Sequence, residues 1–198
     1  NLQADEQGYF KFDLNVREKV LGTTQTRNIS LPHSGRQHVD NSLSAAAVGY
    51  SLGLTIDEIC AGLRSVDLPD ARFQNIKISP LLLLVDDSYN ANPESVKRSI
   101  DILSEFPGRK IFIFGDMFEL GRYRKKLHVD IGSYLNKSKI DVLITFGDLS
   151  KNASSRFQKK SYNFHSEDKL SDFIINFGKK NDIVLLKGSR GMKMERFI

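Results

Sequence analysis

Four apolar runs mark the later two thirds of the chain: Leu81 to Asp86, Lys110 to Gly115, Val142 to Gly147 and Ile183 to Gly188. Each is continuous rather than alternating, the pattern of a strand covered on both faces. Helix-like segments separate them at Pro93 to Glu105, Arg122 to Asn136 and Ser166 to Gly178, with a short polar one after Leu149. Strands alternating with helices predict a parallel sheet with right-handed crossovers. The region 69–198 is therefore expected to be a Rossmann-like α/β domain.

The first 68 residues carry a different pattern. Tyr9 to Leu14 alternates polar and apolar side chains, and Asn28 to Leu31 offers a second short strand. From Asn41 to Gly53 runs a helical stretch in which Asn41 is expected to cap the start and Gly53 to end it. Thr55-Ile-Asp-Glu58 is a capping box for a second helix, with Ile56, Ile59 and Leu63 on one stripe. These few elements cannot bury both of their faces, so residues 1–68 read as a piece of a larger domain that begins before Asn1. Leu68-Pro69-Asp70 is the expected boundary, because proline cannot continue a helix and disfavours it in the residue before.

Composition excludes little and confirms a globular chain: 40% hydrophobic and 27% charged over 198 residues. The longest apolar run, Leu81 to Val85, is far too short for a bilayer, and Asn1 to Asp5 shows no secretory signal. A single cysteine, Cys60, permits no internal disulfide, so a cytoplasmic protein is expected, away from membranes. The net charge of +5 raises nucleic acid as a partner. The lysines and arginines, however, fall in short runs such as Arg122 to Lys126, Lys159-Lys160 and Lys179-Lys180, without interleaved aromatic side chains. Solvated helix faces explain them better, and no nucleic-acid partner is expected.

In open α/β sheets the ligand crevice lies beyond the carboxyl ends of the strands. Here those positions are Asp86-Asp87-Ser88-Tyr89-Asn90-Ala91-Asn92-Pro93, Gly115-Asp116-Met117-Phe118-Glu119-Leu120-Gly121 and Lys187-Gly188-Ser189-Arg190-Gly191. Carboxylates, amides and a lysine on one rim suit a polar, charged ligand. Asp87 can accept from ribose hydroxyls, and Asn92 with Pro93 can start a helix whose N-terminus favours an anion. The same string also reads as a well-capped turn, and both readings stay open. Taken singly, Glu119 reads as an exposed loop carboxylate, His128 as a partly buried helical histidine and Lys187 as a lysine reaching out to water. A nicotinamide-dependent oxidoreductase is disfavoured, because Asp86-Asp87-Ser88 stands where Gly-x-Gly-x-x-Gly would follow the first strand.

Three strings, Asp87-Ser-Tyr-Asn-Ala-Asn-Pro93, Gly115-Asp-Met-Phe-Glu-Leu-Gly121 and Leu186-Lys-Gly-Ser-Arg-Gly-Met192, resemble in order the C-terminal signatures of the Mur ligases, in particular the D-alanyl-D-alanine-adding branch. Gly35 to Ala46 looks like the end of that family's central ATPase domain. The resemblance thus implies domains at 1–68, an incomplete ATP-binding domain, and 69–198, a ligase domain. It implies a monomeric, ATP-dependent ligase of UDP-N-acetylmuramoyl-tripeptide and D-alanyl-D-alanine in peptidoglycan synthesis. The alternatives are another branch of the family or a non-catalytic nucleotide-binding relative.

For ATP, the resemblance implies Asn41 near the adenine, Arg72 toward phosphate, Asp87 on the ribose, and Tyr89, Asn90 and Asn92 along the cleft. For the dipeptide it implies Glu119, Leu120, His128, Lys187 and Ser189. Departures from the family pattern are Gln37-His38 for His-Asn, Pro69-Asp70-Ala71-Arg72 for Pro-Gly-Arg, and a more basic stretch at Arg122 to Lys126. No Gly-x-x-x-x-Gly-Lys-Ser/Thr loop occurs, so the residues that cradle the β- and γ-phosphates and most of the Mg2+ ligands are expected upstream of this sequence. No catalytic residue and no metal ligand is assigned here, and the chain alone is expected to be inactive.

Overall fold

A computed structural model describes residues 1–5, 9–17, 22–67, 72, 74–79 and 82–198. Two compact units emerge, Asn1–Pro69 and Asp70–Ile198. The Leu68-Pro69-Asp70 stop itself lies outside the described residues.

In the first unit β1 (Leu2–Ala4), β2 (Tyr9–Arg17) and β3 (Thr24–Ser34) form an antiparallel sheet in that order. Both longer strands outrun the sequence expectation, because the flanking polar residues still pair: Arg17 stands opposite Thr24. Phe10, Phe12 and Leu14 alternate inward and meet Ile29, Leu31 and the helix residues Ile56, Ile59 and Leu63 in one core. The first helix, α1 (Arg36–Ser51), starts six residues earlier than expected, with Gly35 rather than Asn41 as N-cap. Asn41 is therefore an exposed mid-helix residue and not a cap. The reason is that Gly35, at φ 108, turns the chain out of β3 directly into helix, leaving no loop for Asn41 to close. In α2 (Ile56–Arg64) the capping box forms as read: Thr55 accepts from the Glu58 N–H, and the Glu58 carboxylate accepts from the Thr55 N–H at 2.8 Å.

The second unit is a six-stranded sheet in the order β4-β5-β9-β6-β7-β8. Its strands are β4 (Gln74–Ser79), β5 (Leu82–Asp86), β6 (Arg109–Gly115), β7 (Val142–Phe146), β8 (Lys160–Phe164) and β9 (Asp182–Lys187). The five from β5 to β9 are mutually parallel, as the apolar runs imply. The sequence pattern missed two edge strands: β4, antiparallel to β5, and β8. Both are polar-rich, as edges that face water on one side tend to be, so neither shows as a continuous apolar run.

Helices α3 (Pro93–Glu105), α4 (Arg124–Leu135), α5 (Lys151–Ser154) and α6 (Glu167–Phe177) connect the parallel strands. The chain moves one way from β5 through β6 and β7 to β8, then returns to place β9 between β5 and β6. Right-handed crossovers accordingly put α3, α4 and α5 on one face and α6 on the other. Two cores record this: Val96, Ile100, Ile131, Leu135 and Ala153 pack on Val85, Phe112, Phe114 and Leu185, while Leu170 and Met194 pack on Leu84, Ile111, Ile113 and Leu186. Alternate residues of each central strand thus enter opposite cores. Among the described residues, no helix is long and apolar enough to cross a membrane.

Candidate functional site

Insertion of β9 between β5 and β6 has a consequence at the carboxyl edge of the sheet. Loops 86–93, 115–121 and 187–191, far apart in sequence, become neighbours. Backbone bonds lock them: the Asp87 N–H donates to the Leu186 carbonyl and the Ser189 N–H to the Asp116 carbonyl, each at 3.0 Å.

At the centre stands Lys187, whose side chain is only 3% exposed. Its ammonium donates to Asp87 Oδ2 at 2.7 Å, to the Asn90 carbonyl at 3.0 Å and to the Asp87 carbonyl at 3.4 Å. The sequence expectation of a lysine reaching water is thus corrected. Its strand-end position points it across the rim, where a carboxylate and two carbonyls replace water. Asp87 Oδ2 also accepts from Ser99 Oγ at 2.6 Å, whereas Oδ1 makes no hydrogen bond among the described residues. Ser99 escaped sequence reading, since a serine two turns into a helix carries no signal of its own.

Asn92 caps α3: its side chain accepts from the Ser95 N–H at 2.8 Å, the Ser95 hydroxyl reciprocates, and Pro93 occupies the first turn. Both readings of that string, cap and binding loop, therefore share one piece of chain. Asn90 bends back so that its Oδ1 accepts from the Ala91 N–H and, at 3.4 Å, from the Arg190 N–H. Tyr89 is exposed, and the Arg72 guanidinium lies 4.2 Å from its ring centroid.

His128 is fully buried. Its Nδ1 lies 2.7 Å from the Arg124 carbonyl and its Nε2 accepts from the Met117 N–H at 2.9 Å, which together fix the proton on Nδ1. Burial pushes its pKa down, against smaller opposing effects of the Arg124 carbonyl and the Asp116 charge. Ser189 Oγ accepts from the Phe118 N–H at 2.7 Å and donates to the Ala91 carbonyl at 3.4 Å. Ser189 precedes a single 3-10 turn, Arg190–Met192. Glu119, exposed at φ 61, and Leu120, packed against the main core, complete that loop.

Asp116, part of a motif but not assigned a role from sequence, organises the neighbouring loop. Its carboxylate accepts three backbone N–H groups, from Asp148 at 3.1 Å, Leu149 at 3.0 Å and Ser150 at 2.7 Å. Asp86 is buried too, and its pKa is pushed up by that burial despite the Ser88 N–H it accepts. Asn41 belongs to the first unit and is described there. Among the described residues, no three His, Cys, Asp or Glu side chains are grouped to hold a metal ion.

A doubly wound domain with three polar loops interlocked at the carboxyl edge, where open α/β sheets place their ligand crevice, defines the class of this protein. The family described as "Mur ligase, glutamate ligase domain" matches residues 71–190, and the chain belongs to the Mur ligase family. It is 35% identical over 196 residues to the UDP-N-acetylmuramoyl-tripeptide--D-alanyl-D-alanine ligase of Buchnera aphidicola, covering 94% of this chain and 43% of that protein. The ligase of the same name from Haemophilus influenzae is 35% identical over 197 residues, covering 93% and 43%. The chain therefore spans about 43% of the length of these curated relatives. Among solved structures, MurF from Acinetobacter baumannii superposes with a TM-score of 0.85 at 28% identity, over 99% of this chain and 42% of that one. MurF ligase from Thermotoga maritima in complex with ADP gives 0.77 at 28% identity, over 99% and 44%.

Proposed function

We propose that this chain forms part of an ATP-dependent amide-bond ligase that adds D-alanyl-D-alanine to UDP-N-acetylmuramoyl-tripeptide. The observation that carries the reading is the interlocking of the three motif loops around the Lys187–Asp87 pair, in a chain 35% identical to ligases of that name. A carboxylate is a poor electrophile, and ATP supplies the phosphoryl group that converts it into an acyl phosphate open to attack by the dipeptide amine.

The chain's own residues take positioning and binding roles. Asp87, its Oδ2 fixed by Lys187 and Ser99, offers Oδ1 to a ribose hydroxyl. Arg72, stacked on Tyr89, presents its charge to phosphate. Asn90 and Asn92 shape the same loop through their turn and cap. Asn41, exposed on α1, is proposed for the adenine. Glu119 faces solvent for the dipeptide, whereas His128, Lys187, Ser189 and Leu120 act by fixing the loops around it. No phosphate-binding loop occurs in this sequence, so Mg2+ is proposed to bind mainly to residues in the part of the relatives' length that this chain does not span.

The test is phosphate release by the full-length enzyme, which is expected to require ATP and both acceptor and dipeptide. The 198-residue chain alone is expected to release none. A full-length enzyme that turns over with a different amino acid and ignores D-alanyl-D-alanine would overturn the reading.

A further inference from the structure

Most polar groups that sequence resemblance directs toward the dipeptide are already engaged within the protein. The Lys187 ammonium is bound by Asp87 and two carbonyls, Ser189 Oγ by Phe118 and Ala91, and both His128 nitrogens by backbone. A dipeptide with a free carboxylate still needs a cation on this rim, since an unpaired carboxylate desolvated in a site is costly.

The residue next to Ser189 meets that need. Arg190 has its backbone pinned on both sides, by Asn90 Oδ1 on its N–H and by the 3-10 turn it begins. Its side chain is nevertheless 63% exposed. Among the described residues the guanidinium makes one hydrogen-bonded ion pair, from Nη1 to Glu195 Oε1 at 3.2 Å, leaving Nε and Nη2 free for a second, two-pronged partner. The group lies 5.9 Å from the Tyr89 ring centroid, over the same ring as Arg72. Two guanidinium groups beside one ring place positive charge on this part of the rim, to which an oxyanion ligand is complementary. Beyond Arg190, Gly191 packs on Phe118: a Cβ there would stand 3.0 Å from the ring. Glu119, exposed and next in sequence to Phe118, brings the opposite charge to the same rim. A cation beside exposed Tyr89 and an exposed anion next in sequence to exposed Phe118 match a small zwitterionic peptide.

We propose that Arg190 is the specificity residue that binds the terminal carboxylate of the dipeptide. This rests on the ligase reading above and deepens it. The oxyanion has two possible sources, dipeptide carboxylate and nucleotide phosphate, and the experiment separates them.

Steady-state kinetics on the full-length ligase are measured with D-alanyl-D-alanine and with its neutral C-terminal amide, for wild type, Arg190→Gln and Arg190→Lys. Wild type is expected to show a KM for the acid lower than that for the amide by about tenfold to a hundredfold, the worth of a charged hydrogen bond. Arg190→Gln raises the acid KM by that factor, leaves the amide KM and the ATP KM nearly unchanged, and so erases the preference. Arg190→Lys keeps the charge without the fork and falls between. Where the single variant melts early because Glu195 has lost its partner, Arg190→Gln with Glu195→Gln gives the same comparison. A variant that loses acid and amide alike, or whose ATP KM rises instead, overturns the assignment and leaves the ligase reading standing. A wild-type enzyme that forms no D-alanyl-D-alanine product at all overturns the ligase reading itself.

Discussion

The ammonium of Lys187 lies 2.7 Å from Oδ2 of Asp87, joining the end of β9 to the end of β5 with 3% and 16% of the two side chains exposed. Removing one member of such a pair strands the other, at a cost of about 3–5 kcal/mol. Lys187→Met and Asp87→Leu are each expected to lower the melting temperature of this unit by on the order of 10 °C. The double variant, an apolar pair in place of an ionic one, should recover much of the loss. Thermal melts of the four proteins form a double-mutant cycle, and strictly additive losses would show that the pair does not act as a unit.

This pair also shows where sequence reading stops. The parallel sheet was legible because burial on both faces writes a continuous apolar run, as in Phe112 to Phe114, and Asn92-Pro93 was legible because a cap is a local event. Long-range partners are not written locally: nothing near Lys187 points to Asp87, a hundred residues away. Edge strands β4 and β8 were hidden by their polar residues, and the start of α1 by the conformation of Gly35. The candidate loops were found as a set through their shared position after strands. Which of their atoms are spent internally and which face a ligand depends on geometry that only the folded chain supplies.

Gly147 and Asp116 give a second prediction. Gly147 has φ +121, and a Cβ there would stand 2.4 Å from Asp116 Oδ1, the oxygen that caps Leu149 and Ser150. Gly147→Ala therefore combines backbone strain with displacement of a carboxylate that holds three N–H groups, and is expected to cost about 2 kcal/mol or more. Because the Gly147→Ala methyl already displaces the carboxylate that Asp116→Ala removes, adding Asp116→Ala to Gly147→Ala should cost less than Asp116→Ala costs the wild type. Chemical denaturation of the three variants measures this, and equal costs would contradict the shared mechanism.

His128→Phe keeps a ring against Phe114, whose centroid is 5.7 Å away, but removes the acceptor for the Met117 N–H. A buried donor left unpaired costs about 1–3 kcal/mol. The Met117 amide is expected to exchange with solvent faster in the variant while amides in the middle of β6 keep most of their protection. Unaltered exchange at Met117 would show that His128 does not hold this loop.

His38 supplies the pH prediction. It is buried in the first unit, and that burial, with a smaller contribution from nearby His33, lowers its pKa from 6.5 to about 4. The ring centroids of the two histidines are 5.9 Å apart. In the window between about 4 and 6.5 the unfolded chain carries a proton on His38 that the folded chain does not. Protons then bind preferentially to the unfolded state, so acidification favours unfolding. The stability contributed by the neutral imidazole is fully present above 6.5 and is lost progressively as pH falls through that window toward about 4. The melting temperature of the first unit should drop over this range, and His38→Phe, which carries no proton, should flatten the drop. Imidazole proton resonances followed by NMR give the direct reading. A His38 midpoint near about 4 before unfolding agrees with the burial, whereas a midpoint near the ordinary 6.5 together with an unflattened melting profile in the variant would remove His38 as the source of acid sensitivity.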